Sequence, residues 1–132
     1  MLYMLDTNMC IYLMRQQPAA VGQRFAALRR GDVGMSVVTL AELRYGVESR
    51  ETERQRNESA LAALLEDIPA EPFDSLAAER YGIIRAAVRE RRRDALDRLI
   101  AAHSISAGVV LVTNNPRDFQ GCPGLRLENW VA

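Results

Sequence analysis

Short apolar runs alternate along the chain with segments that repeat apolar residues at helical spacing. Leu2-Tyr3-Met4-Leu5 predicts a short buried strand. Asp6-Thr7-Asn8 supplies capping side chains for a helix through Cys10-Ile11-Tyr12-Leu13-Met14. Pro18 restarts a helix with Val21, Phe25 and Leu28 on one face. Gly31 and Gly34 are read as bracketing a turn, and Met35-Ser36-Val37-Val38 as a second buried strand. Thr39 and Glu42 have capping-box spacing and predict a helix to about Glu48, with Leu40, Leu43 and Val47 inward. A charged helix follows over 51–66 with Leu61, Leu64 and Leu65 as its apolar stripe. Ile68 to Phe73 reads as a short strand interrupted by prolines.

Asp74 or Ser75 caps a helix over about 75–92, and Asp94 or Ala95 begins another that ends at Gly108. Val109 to Val112 is the clearest strand; Asn114-Asn115-Pro116 turns into a short helical piece, and Leu125 to Leu127 forms a last edge strand. Strands alternating with helices predict a small three-layer α/β/α domain on a mainly parallel sheet, one domain spanning 1–132. Ligands of such sheets bind outside the carboxyl ends of the strands.

Composition narrows the function. Apolar residues make up 48% of the 132, enough for a core and against disorder. The 17 basic and 17 acidic residues cancel, so a globally basic nucleic-acid binder is not indicated, although a local patch can still bind RNA. All the basic residues are arginine, which excludes lysine Schiff-base chemistry and a P-loop lysine. Cys10 and Cys122 are too few for a disulfide framework or a zinc site. No apolar run reaches membrane-spanning length and the first residues do not read as a signal peptide, so the cytoplasm is the expected compartment.

The chemistry sits at the strand ends. Asp6 follows the first strand, Glu42 lies on the helix after the second, and Asp97 begins the helix that leads into Val109 to Val112. Asn115 and Asp118 follow that strand. Two carboxylates ~4 Å apart repel by roughly 4 kcal/mol at an effective dielectric near 20. Three together must take up protons or hold a cation, and oxygen-only ligands favour Mg²⁺ or Mn²⁺. Such an ion supports phosphodiester hydrolysis. Each residue also has a plain reading: Asp6 as a cap, Glu42 as half of a capping box, Asp97 as a first-turn acid, Asn115-Pro116 as a turn.

Four segments in order carry more weight than any residue alone: Met4-Leu5-Asp6-Thr7-Asn8, Thr39 to Gly46, Leu96 to His103, and Val112 to Phe119. From Met1 to Trp130 the chain resembles PIN-domain ribonuclease toxins of the VapC type. The resemblance implies Asp6, Glu42 and Asp97 as the acidic catalytic site, with Asp6 and Asp97 as the main Mg²⁺ ligands. It implies site-shaping roles for Asn8 and Thr113. It also implies a VapB-type antitoxin partner, a homodimer, and cleavage of RNA to 5′-phosphate and 3′-hydroxyl ends, with tRNA, initiator tRNA included, as the first substrate to try. Where the family often has a fourth acid, this chain has Asn115, with Asp118 three residues on. Before Asp97 the family's Gly/Pro loop is replaced by Arg91 to Leu96.

The arginine-rich stretch from Arg89 to Arg98, Arg93 included, reads equally as an RNA-phosphate clamp and as a solvated helix face. His103 and Cys10 read as structural, Cys122 as an incidental surface thiol, and Tyr45 and Tyr81 as packing residues. Leu61, Leu64 and Leu65 with the Val47 region are read either as an apolar groove for the antitoxin or as plain core. Two competing functions are a phospho-acceptor module, disfavoured because lysine is absent, and a PIN-fold binding protein without catalysis, which the Asn115 departure keeps open.

Overall fold

The computed structural model describes residues 1–88 and 95–131. Five strands form one sheet in the order β3-β2-β1-β4-β5, and every pairing is parallel. They are β1 (Tyr3–Leu5), β2 (Val33–Ser36), β3 (Ala70–Glu71), β4 (Val110–Val112) and β5 (Leu127–Glu128). The helices between them are α1 (Thr7–Arg15), α2 (Ala19–Ala26), α3 (Val37–Ser49), α4 (Arg54–Asp67), α5 (Ser75–Ala87) and α6 (Ala95–Ala107). Single 3-10 turns occupy Glu51–Glu53 and Pro116–Phe119. No helix among the described residues is long and apolar enough to cross a membrane.

Strand alternation divides the core between two faces. Leu5, Met35 and Val112 enter one apolar cluster with Met9, Val21, Leu43, Leu61 and Trp130. Met4 and Leu111, one residue away on the same strands, enter the other with Ile84, Ile100, Ala101 and Phe119. The first face is covered by α1 to α4 and the second by α5 and α6, which gives the expected three layers. The strands read as continuous apolar runs because both faces are covered.

The β2–α3 boundary differs from the sequence reading. The strand ends at Ser36, and Val37 and Val38 are already helical. Ser36 is the cap: its Oγ accepts from the Val38 N–H at 3.1 Å. Thr39 therefore lies inside the first turn, and no capping box forms with Glu42. Gly34 is a strand residue rather than a turn residue. A Cβ there would stand 2.5 Å from Met1 Sδ, so the missing side chain admits Met1 against the sheet.

Two tyrosines and a cysteine also sort differently. Tyr81 packs against the second cluster, but Tyr45 is 74% exposed, so its packing reading is wrong. Cys122 is half-buried against the second cluster rather than a loose surface thiol. Cys10 is buried, as expected.

Candidate active site

The strand order reverses at β1, with β2 on one side and β4 on the other. The crevice of an open parallel sheet forms at such a switch point, outside the carboxyl end of the strands. Asp6 is the residue that leaves β1 there. Its backbone N–H donates to the Val112 carbonyl at 3.0 Å, which fixes it to the end of β4. Its side chain caps α1, with Oδ1 accepting from the Met9 N–H at 3.0 Å.

Asp6 is 7% exposed. Burial pushes its carboxyl above the usual range, and the charges of Glu42 and Asp118 push the same way. A hydrogen bond from the Thr113 hydroxyl and the Met9 N–H oppose the shift without cancelling it. The carboxylate is thus desolvated, faces two other acids, and is held by two neutral donors.

Each neighbour is fixed by its own bond. The Thr7 hydroxyl donates to Glu42 Oε1, which ties α3 to the first turn of α1. Thr113 is buried at the end of β4, and its Oγ1 accepts from the Asn115 N–H at 3.0 Å. Asn115 Nδ2 donates to Asp118 Oδ2 at 2.9 Å. The amide at Asn115 therefore holds Asp118, and it is the Asp118 charge that Asp6 feels. Asn114 turns the other way and donates to the Tyr12 hydroxyl at 2.7 Å.

Asp97 is half-buried in the first turn of α6. That helix returns to the start of β4, so its own N-terminus lies at the opposite, carboxyl edge of the sheet. Over 13 residues α6 spans about 20 Å. It packs on β2, α3, β4 and the 3-10 turn that carries Asp118. Asp97 and Asp6 thus belong to the same edge. Among the described residues no three His, Cys, Asp or Glu side chains close into a metal cage.

The remaining predicted residues divide. Asn8 is exposed in the first turn of α1, two residues after the Asp6 cap. Arg93, with the rest of 89–94, lies outside the described residues. Arg98 is buried, 6% exposed, so this end of the arginine stretch is not a solvated clamp. Two residues were read from sequence only as capping residues and not as part of the site. Thr7 is one; its place beside Asp6 at a helix start is the signal that could have found it. Thr39 is the other: its Oγ1 is buried without a hydrogen-bond partner, one turn before Glu42 on the same face of α3.

A groove adjoins this edge. It has a volume of about 440 Å³ and runs between α1, α3 and α4 with Glu42 at its lining. Ile11, Met14, Val47 and Ala60 contribute apolar surface, and Arg15 and Arg56 contribute charge. Leu61 and Leu64 do not line it; both are buried in the first core cluster, and Leu65 packs against that cluster. The plain-core reading of these leucines is correct, and the groove lies on the neighbouring face.

The PIN domain family model matches residues 3–122. The chain belongs to the PIN-domain family. A Shigella flexneri protein named tRNA(fMet)-specific endonuclease VapC is 39% identical over 130 residues, covering 97% of each chain. Ribonuclease VapC2 of Rickettsia felis is 35% identical over 133 residues, covering 98% of each. The crystal structure of DNA-bound VapBC from Salmonella typhimurium contains a chain that superposes with a TM-score of 0.89 at 36% identity, covering 98% of this chain and 99% of that one. Within the PIN family this chain is a ribonuclease of the VapC type.

Proposed function

We propose that the chain, a single domain over 1–132, is the toxin of a toxin–antitoxin pair and cleaves tRNA at the carboxyl edge of its sheet. Asp6, Glu42 and Asp97 are the catalytic acids, and Asp6 and Asp97 hold a divalent cation. The observation that carries this reading is the buried Asp6 carboxylate facing the charges of Glu42 and Asp118. A cation relieves that repulsion. The donors are all oxygen, which fits Mg²⁺, with Mn²⁺ as a substitute. Mg²⁺ is usually held by one or two carboxylates together with water and substrate phosphate rather than by a closed protein cage. The open arrangement of acids suits that mode. The orphaned Thr39 hydroxyl adds an oxygen beside Glu42.

When bound, the ion neutralises phosphate charge and lowers the pKa of a water. The protein's own groups do the positioning. Thr113 and the Met9 N–H orient Asp6. Thr7 holds one oxygen of Glu42, and the Glu42 carboxylate would accept the proton of the attacking water. Asn115 and Asp118 shape the exit from β4. In-line attack at phosphorus leaves a 5′-phosphate and a 3′-hydroxyl, the ends expected for the family.

Two relatives are named for initiator tRNA, those of Shigella flexneri and Salmonella typhimurium. Initiator tRNA is therefore the proposed substrate, and the tRNA pool places the enzyme in the cytoplasm. A VapB-type antitoxin is the proposed partner, with the groove beside Glu42 as its seat. Its apolar floor, with Arg15, Arg50 and Arg56 outnumbering Glu42 and Glu53 along the lining, suits an amphipathic helix with acidic residues. Leu76 and Ile83, exposed seven residues apart on one face of α5, supply apolar surface for a homodimer.

The test is cleavage of total tRNA by purified, antitoxin-free protein with Mg²⁺, with Mn²⁺ and with EDTA. Asp97→Ala is the control. One discrete metal-dependent product, absent in the control, is expected. No cleavage of tRNA, ribosomal RNA or messenger RNA would leave a PIN-fold binding protein instead.

A further inference from the structure

His103 is 4% exposed in the middle of α6, and its Nδ1 lies 2.8 Å from Ser36 Oγ. Ser36 is fully buried and caps α3 through the Val38 N–H. Phe73 meets the imidazole edge-on, with ring centroids 5.6 Å apart. Glu71 and Asp74 supply the charges that the ring feels. The imidazole therefore sits where β2, α3, α6 and the segment after β3 meet, away from the acids themselves.

The bond is a cross-tie between two helices that each carry an acid. Glu42 stands six residues after Ser36 on α3, and Asp97 stands six residues before His103 on α6. Six residues of helix are about 9 Å, less than two turns. A helix is stiff over that distance, so a shift at the tie is passed on to the carboxylate. α3 and α6 also pack directly against each other. Apolar packing alone lets helices slide by small amounts, whereas a buried hydrogen bond has one good length and is costly to break.

We propose that His103 is a positioning residue: its bond to Ser36 fixes α6 on the start of α3 and so sets Asp97 relative to Glu42. This rests on the reading that both acids belong to the cation site. Histidine suits the task because it is planar, fills the space beside Phe73, and offers Nδ1 at a fixed angle. A leucine would fill the space without fixing the register.

The test reads Mn²⁺ affinity by electron paramagnetic resonance on the purified chain, with thermal melting alongside. His103→Phe keeps the ring and removes the bond, and His103→Asn returns a polar atom near the Nδ1 position. Val21→Ala, in the first core cluster on α2, serves as a control that lowers stability far from the tie. The expected result is that His103→Phe weakens Mn²⁺ binding about tenfold, the lower end of the loss seen when an outer group that orients a metal ligand is removed. His103→Asn recovers most of the loss, and Val21→Ala melts lower with unchanged affinity. Should His103→Phe not fold, His103→Leu fills the space without the bond and leaves the Ser36 cap on α3 intact.

Asp97→Asn separates the two levels of the argument. If it leaves Mn²⁺ affinity unchanged, the cation-site reading is wrong. If it abolishes binding while His103→Phe and His103→Leu bind like the wild type, the site stands and the positioning role is overturned. A loss in His103→Phe that Val21→Ala reproduces also overturns it.

Discussion

The hydroxyl of Thr113, at the end of β4, donates to the carboxylate of Asp6, at the end of the neighbouring β1. The same oxygen accepts from the Asn115 N–H. One buried side chain thus orients the desolvated Asp6 carboxyl and starts the turn that presents Asp118. Thr113→Val keeps the shape and removes both roles. It should destabilise the fold by about 1–3 kcal/mol, the cost of leaving a buried polar partner unsatisfied. The Asp6 carboxyl should titrate still higher, because the Thr113 bond is what lowers it. Carboxyl carbon chemical shifts followed against pH measure this, and an unchanged Asp6 titration would contradict the bond.

Asp6 itself opposes folding in the absence of a cation. Its folded pKa is raised above the ordinary aspartate value, mainly by burial. The favourable contribution of the protonated form is present below the unfolded pKa and is lost as pH rises through the folded value. At neutral pH the ionised group is therefore a cost. Asp6→Asn retains an acceptor for the Met9 N–H and removes the charge. The metal-free variant should melt a few degrees above the wild type at neutral pH, and the gap should close below the unfolded pKa. Cleavage should fall by about 100-fold or more, the scale of losing one electrostatic group at a reacting centre. Melting curves against pH, with EDTA present, check the first part.

His103 carries a shift of the opposite consequence. Burial lowers its pKa below the ordinary histidine value, against the smaller pull of Asp74 and Glu71. Its contribution to stability is present above the unfolded pKa and is lost as pH falls through the folded value. His103→Gln removes this titration. Unfolding free energy by urea, taken from about pH 7 to about pH 5, should fall less steeply in the variant than in the wild type. Equal slopes would show that His103 does not report on folding in this window.

Much of this edge was legible in the chain, and the exceptions share a cause. Asp6 was readable because a carboxylate directly after a short apolar strand caps the next helix and stands at the carboxyl edge, where such sheets bind ligands. The β2–α3 boundary was not. Val37 and Val38 are β-branched and extend an apolar run, which reads as strand. Ser36 overrides them because its hydroxyl satisfies an orphan N–H of the helix and meets His103 from a helix 67 positions away. Local spacing cannot reveal that partner. The Thr39–Glu42 pair failed likewise: the Glu42 carboxylate turns to Thr7, 35 positions earlier, rather than to its own helix start. The leucines of α4 showed their periodicity plainly, but periodicity marks a buried face without saying which neighbouring face stays open.

The open face leads to the last prediction. Gly46 lies in the interior of α3 and lines the groove beside Glu42. A Cβ at this position meets nothing within 4 Å. Gly46→Glu should therefore fold, its helix-propensity gain of about 0.5 kcal/mol being largely offset by the like charge of Glu42 four residues earlier. The new side chain would project into the groove with a charge opposite to its Arg15 and Arg56 rim. An acidic amphipathic partner helix would then lose both space and attraction. We expect at least about a tenfold loss of antitoxin affinity, which is about 1.4 kcal/mol, with tRNA cleavage retained. Calorimetric titration of the variant with the antitoxin's helical segment measures the first, and the cleavage assay the second. Undiminished binding would place the antitoxin on another surface, since a glutamate cannot enter an occupied groove without displacing its occupant.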